Sequence, residues 1–197
     1  MTRGNDQKLF RDEDGEVKSM FSEFEGITYR DSPMDCFILL ARYKFAARFI
    51  KKHHRVIDAG CGKGAGSVFL SKFGESVVGA DHDQDLVDAN AAEYRSISNL
   101  SFEHLNLLDV IEHFQFEETE QVANNYASLL KPGGFAVIGT PNIASQPYAS
   151  QRRRDSHPFE FRHDQFEDVL NSVFSNVFMF SMTDEIVSTQ FQNYRGI

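Results

Sequence analysis

The chain of 197 residues is long enough for one domain with a substantial core and too short for two comfortable ones. Its 20 Lys and Arg against 29 Asp and Glu give a formal net charge of −9, which disfavours extended binding to a nucleic-acid backbone. The polar start lacks a signal-peptide pattern, no apolar run reaches the ~18 residues of a membrane span, and Cys36 and Cys61 lie in contexts that do not indicate a disulfide. We therefore expect a cytoplasmic protein without a membrane segment.

The order of helical and strand patterns predicts an α/β domain. Residues 1–31, with a short helix near 17–24, are assigned to an N-terminal lead-in, and residues 32–197 to one domain. The predicted helices of the domain cover residues 32–52, 68–74, 85–95, 117–130 and 163–174. The predicted strands cover residues 55–58, 77–80, 135–140 and 176–181. This alternation predicts a mostly parallel sheet with helices on both faces.

A glycine-rich loop, DAGCGKG at residues 58–64, joins the first predicted strand to the next helix. Glycines at alternate positions let the backbone turn sharply and let a ligand approach where a Cβ would clash. A Walker phosphate loop is excluded because Lys63 is followed by Gly64 rather than by Ser or Thr. The carboxylate of Asp58 would oppose the diphosphate of a dinucleotide, whereas it suits the ammonium group of S-adenosylmethionine (SAM).

A second acid, Asp81, ends the second predicted strand, 21 residues after Gly60. At this spacing a carboxylate accepts hydrogen bonds from the two ribose hydroxyls of an adenosine cofactor. Asp81 therefore supports SAM and NAD equally, and Asp58 favours SAM. The alternative is that both acids only cap helices in an ordinary α/β turn.

Four motifs, VIDAGCGKGAG, VVGADHD, DVIEHF and LLKPGGFAVIGTPN, resemble those of the class I SAM-dependent methyltransferases over residues 32–180. The resemblance implies a Rossmann-like α/β fold and a set of cofactor contacts. At the methionine end these contacts are Arg42, Gly60, Cys61 and Gly62. At the nucleoside end they are Asp81 on the ribose, His82 and Asn106 near the adenine, and Leu108 bordering the cofactor.

An acid–histidine cluster begins at the end of the apolar-rich stretch 100–110. Asp109 and Glu112 are three residues apart with His113 adjacent, so one helical turn could point all three to one side. With the later His157 they could hold Mg²⁺ or a similar ion that polarises an acceptor hydroxyl. The motifs DxxEH and HxFE resemble metal-dependent small-RNA terminal 2′-O-methyltransferases, and the EH pair resembles quinone-biosynthesis O-methyltransferases. Without a metal, His113 would be the catalytic base with Glu112 beside it, and a purely structural EH pair is the remaining alternative.

Three further stretches, DSPMDCFILLARYKF, GTPNIASQPYAS and FSMTDEIV, resemble bacterial methyltransferases of surface-glycan biosynthesis. The leading expectation is therefore O-methylation of a sugar, a nucleotide-sugar or another small polar acceptor. The alternatives are metal-dependent RNA 3′-terminal 2′-O-methylation, a non-catalytic SAM-binding module and, least favoured, a dehydrogenase. The triple arginine at residues 152–154 would meet a phosphate group or belong to a solvated loop.

The chain departs from the family pattern near Asn106. Class I methyltransferases have a third strand, a connection and then a fourth strand that ends at DVIEH, whereas LSFEHLNLLDVIEH runs the two strands together. Either residues 100–108 take the central place beside strand 55–58 and the edge strand is absent, or the sequence lacks an internal stretch. The first alternative would move Asn106 away from the adenine. The expected fold is thus a Rossmann-like sheet that is one strand short.

Overall fold

The computed structural model describes residues 33–105, 111–148 and 159–182. By their contacts, the described residues divide between two units: residues 33–42 belong to one, and the described part of Tyr43–Met182 belongs to the other. The lead-in at residues 1–31, with its predicted helix, lies outside the described residues, so the division of the sequence into lead-in and domain stays a prediction. In the part of the chain that is described, no helix combines the length and the apolar character needed to cross a membrane.

Helices and strands alternate along the described residues. The α-helices are α1 (Pro33–Ala47), α2 (Ala65–Leu70), α3 (Gln84–Glu93), α4 (Thr119–Leu129) and α5 (His163–Val173). The strands are β1 (Arg55–Ala59), β2 (Ser76–Asp81) and β3 (Leu100–His104). Short 3₁₀ helices span Ile111–His113, Phe116–Glu118 and Ile143–Tyr148. The predicted helices of the domain and its first two strands are confirmed, although α1 ends at Ala47 rather than at residue 52, and α2 begins at Ala65 and ends at Leu70 rather than at Gly74.

The three strands form an open parallel sheet in the order β1-β2-β3. The residue pairs Asp58↔Gly79 and Ala59↔Ala80 fix the register of β1 on β2. Because the carboxyl ends of parallel strands meet at one edge, Asp58 and Asp81 come to the same edge of the sheet, which is where ligands bind in open α/β folds. The prediction of an α/β fold with a parallel sheet is confirmed.

Strand β3 lies on the side of β2 that faces away from β1. It pairs with β2 through Val77↔Leu100 and Asp81↔His104. The alternative that residues 100–108 take the central place beside β1 is therefore wrong, and with it the reason for moving Asn106 away from the adenine. Asn106 itself lies outside the described residues, so its contact with the adenine stays a prediction.

The predicted strands at residues 135–140 and 176–181 are wrong, because neither stretch forms a strand. In the second stretch the side chains still alternate as they do in a strand: Val177 and Met179 pack on a hydrophobic cluster, whereas Phe178 and Phe180 are exposed. A period-two pattern is thus present in the sequence. A strand also needs a hydrogen-bonding neighbour, however, and none of the three described strands pairs with either stretch.

Two hydrophobic clusters hold the described elements together. One cluster, around Ala47, Leu70 and Val77, joins the end of α1 and helix α2 to the sheet. The other packs α4 and α5 against the 3₁₀ helix at residues 111–113, and its buried members are Ile111, Val122, Phe161, Phe166 and Leu170. The first cluster matters for the site, because it fixes the elements that flank the glycine loop.

Candidate functional site

The glycine loop connects β1 to α2 along the carboxyl edge of the sheet. Gly60, Gly62 and Gly64 have φ angles of 70°, 52° and 78°, a region that other residues rarely adopt. The backbone N–H groups of Gly60 and Cys61 donate to the carbonyl of Ala80 at 2.9 and 3.0 Å. The alternating glycines therefore allow a turn that is fastened to the end of β2.

Gly62 forms an open floor in this loop. A Cβ added there would meet nothing within 4 Å, so the space above the residue is free for a ligand. Its N–H donates to Oδ2 of Asp81 at 2.8 Å, and its carbonyl accepts a hydrogen bond from Nδ2 of Asn90 at 2.7 Å. The backbone on both sides of the Gly62 Cα is thus held in place.

Asp81 ends β2 with only 5% of its surface exposed. Besides Gly62, it accepts a hydrogen bond at Oδ1 from the N–H of Asp83 at 3.1 Å, and Nδ1 of His82 lies 3.3 Å from the same oxygen. A carboxylate has about four acceptor positions, and the N–H groups of Gly62 and Asp83 occupy two of them. With the His82 ring turned to the ligand rather than donating to Oδ1, the other two positions can accept the two hydroxyl groups of a ribose.

Helix capping does not explain either acid. The N-cap of α3 is Asp83, whose Oδ1 accepts from the N–H groups of Asp85 and Leu86. The N-cap of α2 is Gly64, and the carboxylate of Asp58 accepts instead from two side-chain hydroxyls. The alternative that Asp58 and Asp81 are only capping residues is therefore wrong.

Asp58 is a buried carboxyl group beneath the loop, with 8% of its surface exposed. The hydroxyl of Ser67 donates to it at 2.6 Å, and the hydroxyl of Tyr43 donates at 3.3 Å. Burial raises the pKa of Asp58 to about 6, the two hydroxyl hydrogen bonds oppose this rise, and the charge of Asp81 adds to it. At neutral pH the carboxyl group is therefore mostly ionised, and its negative charge is buried.

The thiol of Cys61 lies near the carboxylates of Asp58 and Asp81 and is affected by their negative charge. It is buried, and its pKa is raised to about 12, first by burial and then by the charges of Asp58 and Asp81. The thiol is therefore protonated at neutral pH and is not poised as a nucleophile. A loop with this potential favours a cationic ligand over a diphosphate.

Sequence reasoning missed three residues that organise the site: Tyr43, Ser67 and Asn90. Tyr43 follows Arg42, the residue that the resemblance implied, and its ring lies against Gly66, where an added Cβ would overlap the ring. The fourth glycine of VIDAGCGKGAG was the available signal, because a glycine inside a helix indicates close approach of another group. Nothing in the sequence pattern pointed to Asn90.

Replacing Gly66 by Ala is expected to lower the free energy of unfolding by about 2 kcal/mol, because the new methyl group would displace the Tyr43 ring. The same change should cost much less in a Tyr43→Ala background, where the ring is gone. Urea denaturation of the parent, both single variants and the double variant measures the coupling. Strict additivity of the two losses would show that the ring does not cover Gly66 in solution.

The other predicted site residues are placed only in part. Arg42 and His82 are exposed, Arg42 on α1 in the first unit and His82 directly after β2. His113 is exposed at the end of the 3₁₀ helix Ile111–His113. The side chain of Glu112 and the predicted positions Asn106, Leu108, Asp109 and His157 lie outside what the structure describes.

The proposed metal site therefore stays a prediction. Among residues 33–105, 111–148 and 159–182, no group of three or more His, Cys, Asp or Glu side chains is arranged to hold an ion. Of the four predicted ligands, only His113 has a side chain that the structure describes.

Known methyltransferases resemble about half of the chain. A probable S-adenosylmethionine-dependent methyltransferase of Mycolicibacterium smegmatis is 28% identical over 120 residues, covering 54% of this chain and 45% of that protein. The ubiquinone biosynthesis O-methyltransferase of Coxiella burnetii is 30% identical over 114 residues, covering 49% of this chain and 47% of that protein. The chain thus spans about half the length of these curated relatives.

Two solved structures have a similar fold. The N-methyltransferase NodS of Bradyrhizobium japonicum superposes with a TM-score of 0.56 at 15% identity, covering 72% of this chain and 83% of that chain. The YcgJ protein of Bacillus subtilis superposes with a TM-score of 0.55 at 16% identity, covering 67% of each chain. At these identities the likeness concerns the fold alone.

The family evidence covers most of the chain. Residues 32–176 match the model of the family described as Methyltransferase domain. This range includes the glycine loop, Asp58 and Asp81, and the open parallel sheet that carries them. The chain therefore belongs to this methyltransferase-domain family, and its fold is that of the class I SAM-dependent methyltransferases.

Proposed function

We propose that the protein binds SAM at the carboxyl edge of β1 and β2 and methylates an oxygen atom of a small polar acceptor. The observation that carries this proposal is the pair of buried carboxyl groups, Asp58 and Asp81, at the same edge of the sheet as the open floor at Gly62. A sugar or a nucleotide-sugar is the favoured acceptor, as the resemblance to methyltransferases of glycan biosynthesis implies.

The charge of the site supports SAM over a dinucleotide. SAM carries a sulfonium, an ammonium and one carboxylate, so it is a net cation at neutral pH. Burial raises the pKa of the Cys61 thiol most, and the charges of Asp58 and Asp81 raise it further. Two carboxylates this close to the loop give it a negative potential. That potential attracts a cation and repels a diphosphate.

Each residue of the edge receives a role in this proposal. Asp81 accepts the two ribose hydroxyls, and Gly62 lets the ligand lie against the backbone. Asp58 supplies negative charge near the ammonium group from beneath the loop. His82 flanks the adenine, and Arg42 meets the carboxylate of the methionine part.

Catalysis then requires alignment of the acceptor and removal of its proton. SAM supplies an activated methyl group, so positioning provides much of the rate. We assign removal of the acceptor's proton to His113, with Glu112 beside it, because His113 is an exposed imidazole near the middle of the domain. An oxygen acceptor is also supported by the Coxiella burnetii relative, which is named an O-methyltransferase.

The test has two stages. Calorimetry should show SAM binding and no comparable NAD binding, and the opposite preference would overturn the proposal. Incubation with SAM carrying a labelled methyl group should then place label in a pool of sugars or nucleotide-sugars, and absence of label from every such pool would remove the acceptor assignment.

A chelator separates the metal-dependent alternative from the proposal. The RNA 2′-O-methyltransferase alternative, with Mg²⁺ held by Asp109, Glu112, His113 and His157, predicts labelled RNA 3′ ends and loss of activity in chelator. Full transfer to a small acceptor in chelator would instead support His113 as a metal-free base. SAM binding without transfer to any acceptor class would leave the non-catalytic module as the function.

A further inference from the structure

Asn90 is a buried polar residue that the proposed function does not use. It lies in the last turn of α3 with 3% of its surface exposed, and its Nδ2 donates to the Gly62 carbonyl at 2.7 Å. Asparagine is a modest helix former, and a buried amide side chain is costly unless it is hydrogen-bonded. This buried amide lies where α3 reaches the glycine loop, and its hydrogen bond to Gly62 offsets the cost of burying it.

The hydrogen bond from Asn90 complements the one from Asp81. Asp81 holds the N–H of Gly62, and Asn90 holds its carbonyl, so rotation about both backbone bonds of the Gly62 Cα is restrained. Glycine needs this restraint more than other residues, because without a Cβ its backbone has more accessible conformations. The hydrogen bond between Gly62 and Asp81 also orients the carboxylate, because a Gly62 N–H that is held in place fixes the direction of the Asp81 oxygen that accepts from it.

We infer that Asn90 is a positioning residue for the ribose-binding carboxylate. It acts through the Gly62 backbone and keeps the oxygens of Asp81 aimed at a pair of vicinal hydroxyls. The inference rests on the proposed function, since it concerns the same nucleoside site. It assigns to α3 a share in ligand recognition that the loop and β2 alone would not provide.

The test uses S-adenosylhomocysteine and its 2′-deoxy counterpart, which lacks one of the two hydroxyls. The parent should bind the complete ribose more tightly, because Asp81 accepts both hydroxyls. Asn90→Leu, which keeps the volume and loses the donor, should weaken binding of S-adenosylhomocysteine about tenfold, as expected for one lost hydrogen bond to a buried group. Binding of the 2′-deoxy ligand should weaken much less, so the preference for the complete ribose should shrink.

A matched control is available on α4. Asn124 also donates from Nδ2 to a backbone carbonyl, that of Glu120 at 2.9 Å, but it is exposed. Asn124→Leu should leave the affinity for both ligands unchanged. Asn90→Asp serves as a second variant of nearly the same shape, in case the leucine variant does not fold, and it should reduce the same preference.

The outcomes separate the inference from the function on which it rests. An unchanged preference in both Asn90 variants, or an equal loss for both ligands, would show that Asn90 has only a structural role and would leave the SAM site intact. No binding of S-adenosylhomocysteine by the parent would overturn the proposed function, and the inference would fall with it.

Discussion

Replacing Asp81 by Asn is expected to weaken SAM binding about a hundredfold. The substitution keeps the shape of the side chain but removes the charge and one acceptor, and hydrogen bonds to a charged group contribute about 1.5–3 kcal/mol each. The new amide would also point a donor at the N–H of Gly62 or of Asp83, both of which donate to the carboxylate. Titration calorimetry of parent and variant measures the loss.

Asp85→Asn is the matched control for this experiment. Asp85 lies in the first turn of α3, four residues from Asp81, and its side chain is exposed, so the substitution makes the same change in charge beside the site. The control should keep an affinity within a few-fold of the parent. If Asp81→Asn also kept the parental affinity, Asp81 would not contact the ligand and the SAM site would have to lie elsewhere.

The second large effect concerns the stability of the protein and its dependence on pH. The pKa of Asp58 is 3.8 in its ordinary state and about 6 in the folded protein, chiefly because of burial. A carboxyl group whose pKa is raised by folding stabilises the protein below pH 3.8 and loses that contribution as pH rises through 6. The difference between the two pKa values corresponds to about 3 kcal/mol.

Asp58→Asn removes this titration, so the variant should gain stability relative to the parent as pH rises from 4 to 7. Denaturant unfolding of both proteins at several pH values gives the difference, which should grow by up to about 3 kcal/mol over this range. Ser67→Ala provides a second check, because the Ser67 hydroxyl lowers the pKa of Asp58, and its loss should shift the change to higher pH. A difference that is flat with pH would mean that Asp58 is not buried as described.

Sequence reasoning located the edge of the sheet and the loop correctly because the signals there are local. The short apolar strands, the alternating glycines and the acids at the strand ends all lie within residues 55–81. Parallel strands then bring Asp58 and Asp81 to one edge without further information. The capping aspartate of α3, two residues beyond Asp81, could have been distinguished by its position directly before the helix.

The missed and wrong elements depend on contacts between distant parts of the chain. Tyr43 reaches Asp58 from 15 residues away, and Asn90 reaches Gly62 from 28 residues away, so neither has a local pattern. The strands predicted at 135–140 and 176–181 have the side-chain pattern but no hydrogen-bonding neighbour among the described strands. A β-strand is defined by hydrogen bonds to a neighbouring strand, and the sequence of one segment does not show whether such a neighbour is present.

The exposure of Ile57 on β1 affects how the protein behaves at high concentration. Of the strands at residues 55–59, 76–81 and 100–104, β1 pairs with β2, and its Ile57 side chain is 43% exposed. Exposed apolar side chains increase the tendency of protein molecules to associate. Self-association that grows with protein concentration is therefore the colloidal behaviour we expect, and charged substitutions at Ile57 should reduce it.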